Sequence, residues 1–250
     1  MRLQLLGTGA AGGVPLYGCT CPVCQAAATD DRLCRKPCCA FLEHRGETIL
    51  IDAGLADVGR CLPSGDLTRI LLTHYHPDHV QGLFDLRWGC NTTIPVHGPD
   101  DVEGCADLFK NPGILDFSTV MKPFHTVIFA GLKVTPVPLN HSRMTLGYCF
   151  AHDTSRLAYL CDTVGLPLFS LDFLEAWQPN HIVLDCCHPP QITPPINHND
   201  ITKAIGIAHD FPQSSLWLTH ISHGLDLWLQ KHAHTLPSNI RVASDGLVIR

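Results

Sequence analysis

Long apolar runs, basic clusters and aromatic residues are all scarce in this chain of 250 residues. No stretch approaches the ~20 consecutive apolar residues that a membrane-spanning helix needs, so no membrane partner is expected. The start, Met1-Arg2-Leu3-Gln4-Leu5-Leu6-Gly7, has too short an apolar segment and no small-residue cleavage site for a secretory signal. A cytoplasmic location is the expectation. Lysine and arginine number 17 against 23 acidic residues, a net charge of −6. A protein that grips a polyanion needs a basic footprint, and none is visible here, so nucleic acid is a poor partner and a small substrate a better one. Only 16% of residues are charged and 45% are hydrophobic, which excludes a disordered chain. At this length one α/β domain spanning residues 1–250 is expected.

Cysteine, by contrast, is abundant. There are 13, but the odd count and the adjacent pairs Cys38-Cys39 and Cys186-Cys187 do not suit a disulfide framework. Reduced thiols and a metal knot are the expectation. Cys19-x-Cys21-x-x-Cys24 supplies three thiols at a spacing that can wrap one tetrahedral ion, with a fourth ligand needed from elsewhere. Three buried, unligated cysteines would have the same spacing. A redox reading fits less well, because no thioredoxin-like βαβ pattern surrounds Cys21 and Cys24.

The densest chemistry lies in Thr73-His74-Tyr75-His76-Pro77-Asp78-His79, directly after the apolar run Ile70-Leu71-Leu72. Three imidazoles and a carboxylate are costly to desolvate as core filler and suit divalent cations. In extended backbone His74 and His76, at i and i+2, point the same way. Pro77 is suited to the first turn of a helix, which turns Asp78 and His79 onto another face. Two ions side by side are therefore possible. A helix is expected to continue from Gly82 to Arg87.

Elsewhere the motifs are weaker. Gly7-x-Gly9-x-x-Gly12 formally satisfies a dinucleotide fingerprint, yet Gly13-Val14-Pro15 and then cysteines follow where a helix should start. The glycines are read instead as letting a loop pass close to the site. His97 is read as an ordinary loop or core histidine. In the second half one device repeats. Lys133–Leu139 leads to His141, Leu157–Leu160 to Asp162, and Ser215–Leu218 to His220, so that three apolar runs each end in a potential ligand.

His74-x-His76-x-Asp78-His79 resembles the HxHxDH signature of the metallo-β-lactamase superfamily. The text from Leu72 to Leu83, with Leu86-Arg87-Trp88-Gly89, resembles the PhnP-type cyclic phosphodiesterases of the carbon–phosphorus lyase pathway. The resemblance runs from the glycine-rich start to Asp245-Gly246. It implies an αββα four-layer sandwich and two divalent ions, manganese or zinc. One ion would take His74, His76, His141 and Asp162, and the other Asp78, His79, Asp162 and His220. Such a pair, ~3.5–4 Å apart, clamps the attacking and leaving oxygens of an in-line phosphoryl displacement. The resemblance also implies that Asp78 orients the nucleophile, that Asp52 supports the ligands, and that His198 assists the leaving group. It makes His223 the fourth ligand of a structural zinc with Cys19, Cys21 and Cys24. His188 is a weaker candidate, and Asp185 lies near the site without an assigned role.

The activity so implied is opening of 5-phosphoribosyl 1,2-cyclic phosphate to ribose 1,5-bisphosphate in phosphonate catabolism, with Arg143 meeting the remote phosphate. The alternatives are a tRNA 3′-processing endonuclease and a non-catalytic carrier resembling the pyrroloquinoline quinone biosynthesis member of the superfamily. A homodimer is possible by the same resemblance. Asn199 stands where the resemblance leads one to expect cysteine, and Cys34, Cys39, Cys61, Cys90 and Cys105 have no family role.

Overall fold

Apolar residues alternate along the first strand, burying Leu3, Leu5 and Gly7 and leaving the residues between half-buried. That period-2 pattern gives a strand one face for a core, and the chain repeats it until two sheets share one interior. The computed structural model describes residues 1–62 and 67–250. Its strands are β1 (Arg2–Gly7), β2 (Cys39–His44), β3 (Glu47–Ile51), β4 (Arg69–Leu71), β5 (Ile94–Gly98), β6 (Leu115–Val120), β7 (Val127–Phe129), β8 (Leu132–Leu139), β9 (Thr145–His152), β10 (Ser155–Leu160), β11 (His181–Asp185), β12 (Ser215–Thr219), β13 (Ile240–Val242) and β14 (Val248–Ile249). One sheet runs β14-β1-β2-β3-β4-β5-β6 and the other β13-β12-β11-β10-β9-β8-β7.

Both sheets are mixed in the same way. Antiparallel β1, β2 and β3 lead into parallel β4, β5 and β6, and antiparallel β7 to β10 lead into parallel β11, β12 and β13. Parallel strands must return by crossovers, so all their C-terminal ends come out at one edge of the sheet.

The inner faces meet in one apolar cluster that includes Leu3, Leu42, Ile51, Leu71, Tyr148, Phe150 and Tyr159. Tyr148, fully buried there, donates its hydroxyl hydrogen to Leu72 O at 2.6 Å and so links the second sheet to the strand end before the histidines. Helices α1 (Pro22–Ala27), α2 (Val58–Cys61), α3 (Pro77–Val80), α4 (Leu83–Leu86), α5 (Ala106–Lys110), α6 (Leu168–Trp177), α7 (Ile201–Asp210) and α8 (His223–His232) complete the layers. α2, α4 and α5 share a cluster with the outer face of the first sheet, and α6, α7 and α8 one with the outer face of the second. The result is the αββα sandwich expected of the metallo-β-lactamase fold.

Several local expectations meet the structure directly. Pro77 opens α3, and Asp200 caps α7 by accepting from Lys203 N at 2.9 Å. The helix expected over Gly82 to Arg87 is α4, Leu83–Leu86, but it does not run on from α3, which stops at Val80, because Gly82 N donates to Ala53 O at 2.9 Å instead of within the helix. No helix follows the first glycines. Gly9 bridges to Pro37 and to Ile221, which brings that loop beside the strand end carrying His220. No helix among the described residues is long and apolar enough to cross a membrane.

Candidate metal centre

The shared strand edge explains why ligands far apart in sequence meet. Asp52 follows β3, His74 to His79 follow β4, Asp162 follows β10, Asp185 ends β11 and His220 follows β12. His141 arrives from the β8–β9 turn and meets the same place. Asp52 and His220 adopt left-handed backbone, φ 55° and 58°. Each such conformation costs on the order of 1–3 kcal/mol outside glycine and is characteristically concentrated at functional sites. Gly54 permits the close approach behind the signature, since a Cβ there would lie 2.3 Å from Cys38 O and 2.6 Å from Asp78 O.

The predicted ligands separate into two groups. His74, His76 and His141 form one; Asp78, His79, Asp162 and His220 form the other, and within each group the ligand atoms lie within 4.8 Å of one another. His76 Nδ1 is 2.9 Å from His74 Nε2 and 3.0 Å from His141 Nε2. Asp162 Oδ2 touches both groups, 3.2 Å from His79 Nε2, 3.4 Å from His220 Nε2 and 3.9 Å from His74 Nε2 and His141 Nε2.

The surrounding hydrogen bonds set the imidazole tautomers. His79 Nδ1 donates to Asp52 Oδ2 at 2.8 Å, and His141 Nδ1 donates to Asn197 O at 2.9 Å. Thr73 Oγ1 donates to Asp52 and accepts from His74 Nδ1 at 3.0 Å, while Thr73 N also donates to Asp52 Oδ1. In each ring Nε2 faces the cluster. A carboxylate that orients histidines in this way is the usual support of a metal ligand.

Burial pushes His74, His76 and His141 toward the neutral form. At His79 burial has the same tendency, but Asp162 and Asp52 outweigh it; at His220, Asp162 and Asp78 do so. Burial would likewise raise Asp78, yet the imidazoles of His220 and His79 beside it hold its carboxyl well below the usual range. His79 Nε2 and both ring nitrogens of His220 are buried without a hydrogen-bond partner. Unpaired nitrogens beside two carboxylates are costly in a protein interior and fit divalent cations.

At the rim, His198 stacks on His220 with ring centroids 4.5 Å apart, and its side chain is 20% exposed. Its Nδ1 donates to Asp185 Oδ2 at 2.8 Å, and Thr163 N donates to the same oxygen. Asp185 is thus the partner that sequence reading left without a role. The signal was present: Ile182-Val183-Leu184 is one more apolar run ending in an acid. His188 lies farther out, its ring centroid 6.3 Å from that of His198, and outside both ligand groups. His97 is buried against Phe129, away from the ligands, as expected of a core histidine.

Arg143, expected to meet the remote phosphate as a bidentate donor, is engaged within the protein: Nε and Nη2 engage Asp101, Nη1 donates to Tyr75 O and Nη2 to Gly104 O. It ties the loop around Asp101 to the backbone between His74 and His76, because Asp101 lies near enough to capture it.

The cysteines close a separate site. Cys19 Sγ and Cys21 Sγ lie 3.3 Å and 3.6 Å from His223 Nδ1, and Cys24 completes a set of four ligand atoms within 4.8 Å. Leu16 N donates to Cys24 Sγ, and Cys24 N to Cys21 Sγ. His223 and the Cys24 amide lower the Cys21 thiol to about 6, whereas burial raises Cys24 to about 11. A thiolate so prepared suits zinc.

Residues 47–221 match the family model described as a beta-lactamase superfamily domain. The octanoyltransferase of Porphyromonas gingivalis is 31% identical over 264 residues, covering 99% of this chain and 51% of that protein. Coenzyme PQQ synthesis protein B of Rhodopseudomonas palustris is 32% identical over 110 residues, 39% of this chain and 36% of that protein. The chain thus spans about half the length of the first relative, and the second match reaches about a third of the other. Among solved structures, a new diphosphatase from the PhnP family superposes with a TM-score of 0.82 at 26% identity, covering 100% of this chain and 97% of that one. Zn(2+)-bound PqqB from Methylobacterium extorquens, with a TM-score of 0.77 at 20% identity and 100% of both chains covered, shares the fold.

Proposed function

The chain belongs to the beta-lactamase superfamily, and from that premise we propose that it is a metal-dependent phosphodiesterase acting on a small cyclic ribosyl phosphate. The observation that carries this reading is the His198–Asp185 pair at the rim of two ligand groups that share Asp162. His74, His76, His141, Asp78, His79, Asp162 and His220 would hold a pair of divalent ions, manganese or zinc. When bound, such a pair supplies a water nucleophile that ionises near neutral pH and neutralises charge on the phosphoryl oxygens.

The side chains do the rest. Asp78, kept ionised by His220 and His79, accepts a hydrogen bond from the attacking water and fixes its line of approach. Opposite the attack the leaving alkoxide needs a proton, and protonated His198 delivers it from Nε2. Asp185, bonded to Nδ1, holds the ring in that orientation. Thr73 and Asp52 keep His74 and His79 in register, and Arg143 orders the loop beside them. Cys19, Cys21, Cys24 and His223 would hold a structural zinc that pins the N-terminal loop to α8.

The substrate assignment is 5-phosphoribosyl 1,2-cyclic phosphate, opened to ribose 1,5-bisphosphate by release of the 2-oxygen. The likeness to a PhnP-family diphosphatase over the whole chain supports it, as does the net charge of −6, which disfavours a polyanion. The test compares kcat/KM for that compound, for 2′,3′-cyclic nucleotides, for a diphosphate and for a precursor tRNA, with phosphorus NMR to identify the bond that opens. Efficient cutting of precursor tRNA with the cyclic sugar phosphate intact would overturn the substrate assignment. Absence of turnover on every substrate, with ions bound, would favour a carrier.

A further inference from the structure

At the edge of the sandwich opposite the ligands, hairpins of both sheets bring cations together. Arg45 lies in the turn between β2 and β3, Lys133 near the start of β8, His152 at the end of β9 and Arg156 near the start of β10. With Asp153 and Trp177 they line one cavity of about 510 Å³. A second cavity of about 460 Å³ shares Arg45 and His152 with the first and adds Arg2 and Arg250. The acids here already have partners: Asp153 lies 3.2 Å from His152 Nδ1, Glu43 pairs with Arg2, and Glu47 with Arg69. Among the described residues Arg45, Lys133 and Arg156 pair with no carboxylate. Arg156 is nonetheless fixed in place, its Nη1 donating to Trp177 O at 2.5 Å and its amide to Asn180 Oδ1 at 2.7 Å. Arg45 reaches from the first sheet to the second, where a Cβ on Gly131 would lie 3.6 Å from its Nη1. His44, which lines the second cavity, is 5% exposed and its Nε2 is buried without a hydrogen-bond partner. In a chain of net charge −6, three cations gathered at one cavity repel one another unless an anion lies between them.

We infer that these two cavities form a second binding site, for a small molecule bearing a diphosphate group, with Arg45 and His152 between the two phosphoryl groups. Guanidinium forks match phosphoryl oxygens and lysine adds a point charge. Arg45, Lys133 and Arg156 serve the phosphoryl group in the first cavity, and Arg45 and Arg250 the one in the second. A single phosphate can fill only one cavity and is held less tightly. The site lies away from His74, Asp162 and His220 and does not depend on the metal-pair reading.

The experiment titrates inorganic pyrophosphate, ADP and orthophosphate separately into the full chain loaded with zinc, which is diamagnetic, and follows nitrogen–proton NMR spectra. The amides of Gly46, Gly131 and Asp153 and the Trp177 indole report this site, and those of Thr73 and Gly165 report the ligand edge, so binding at the two places is read apart. Saturable shifts of the first set with pyrophosphate or ADP are expected, at concentrations at least about 10-fold below those orthophosphate needs; the tighter of the two tells whether the diphosphate is free or carried on a nucleoside. Arg45→Ala and Lys133→Ala remove exposed side chains, so the fold should stand, and each should weaken binding about 10-fold or more, the usual cost of losing a charge-assisted hydrogen bond. Lys231→Ala, on α8 and outside both cavities, should bind like the parent protein. Shifts confined to the ligand edge, equal affinity for orthophosphate, or parental affinity in both cavity variants would each overturn the inference.

Discussion

The cysteine site and the histidine–aspartate site both gather side chains able to hold ions and are built in opposite ways. Three of the four ligands of the first lie between Cys19 and Cys24, on a loop and the first turn of α1, and the fourth begins α8. Around it is a small apolar cluster, with Val14, Val23, Cys24 and Ala27 buried and Leu227 packed against them. The second site collects its ligands from the ends of β4, β8, β10 and β12, backed by the cluster between the sheets. Where the core is thin, bonds to an ion must do the holding, and the site closes around it. Where sheet register does the holding, the ligands can leave an edge open, and His198 and Asp185 occupy it.

That contrast breaks first at Asp162. Asp162→Ala should abolish turnover and lose the active-site ions while the cysteine site keeps its zinc; elemental analysis and rate measurements check both. Retained turnover would remove the shared carboxylate from the mechanism. Next in size is His198→Ala, expected to leave metal content alone and lower kcat by ~10²–10⁴ on esters with a poor leaving group. An aryl ester, which needs little protonation, should lose far less. Equal losses on both would make His198 a substrate-binding or structural group.

Asp52→Asn tests the support beneath the ligands. It should weaken metal affinity about 10–100-fold, measured by competition with a chelator, and lower kcat chiefly through occupancy. Cys21→Ser should have the reverse character, with a depressed melting temperature, zinc lost, and the rate per bound manganese pair nearly unchanged in protein that remains folded. A variant that melts like the parent would show that the knot does not hold the loop.

The smallest effect calibrates the scaffold. Glu47 accepts from Arg69 Nε and Nη2 at 2.9 Å and 3.0 Å, and that pairing lowers its pKa below the ordinary 4.5. The stabilisation, about 1 kcal/mol or less, is present in full above that ordinary value and is lost as pH falls through the lower folded one. Glu47→Gln should therefore narrow its stability gap to the parent protein on acidification, read from urea unfolding at several pH values.

The signature histidines, Asp78 and the strand-end ligands were legible because each sits against an apolar run whose period declares a strand. The cysteine spacing was legible for a similar local reason. Asp185 ended an equally clear run, but a lone carboxylate after a strand has no local mark of its partner, and His198 is thirteen residues on. Arg143 misled because a guanidinium beside a ligand looks free until the loop carrying Asp101 folds over it.

By itself, then, the sequence determined the elements, their buried faces and the identity of the side chains able to hold ions, since periodicity and ligand chemistry are properties of short stretches. Only the tertiary structure decided the rest: which strand ends coincide, which carboxylate touches both ligand groups and which partner orients His79, His141 and His198. Those depend on distances across two sheets, and such distances are set by the packing of Tyr148, Leu71 and their neighbours rather than by any motif.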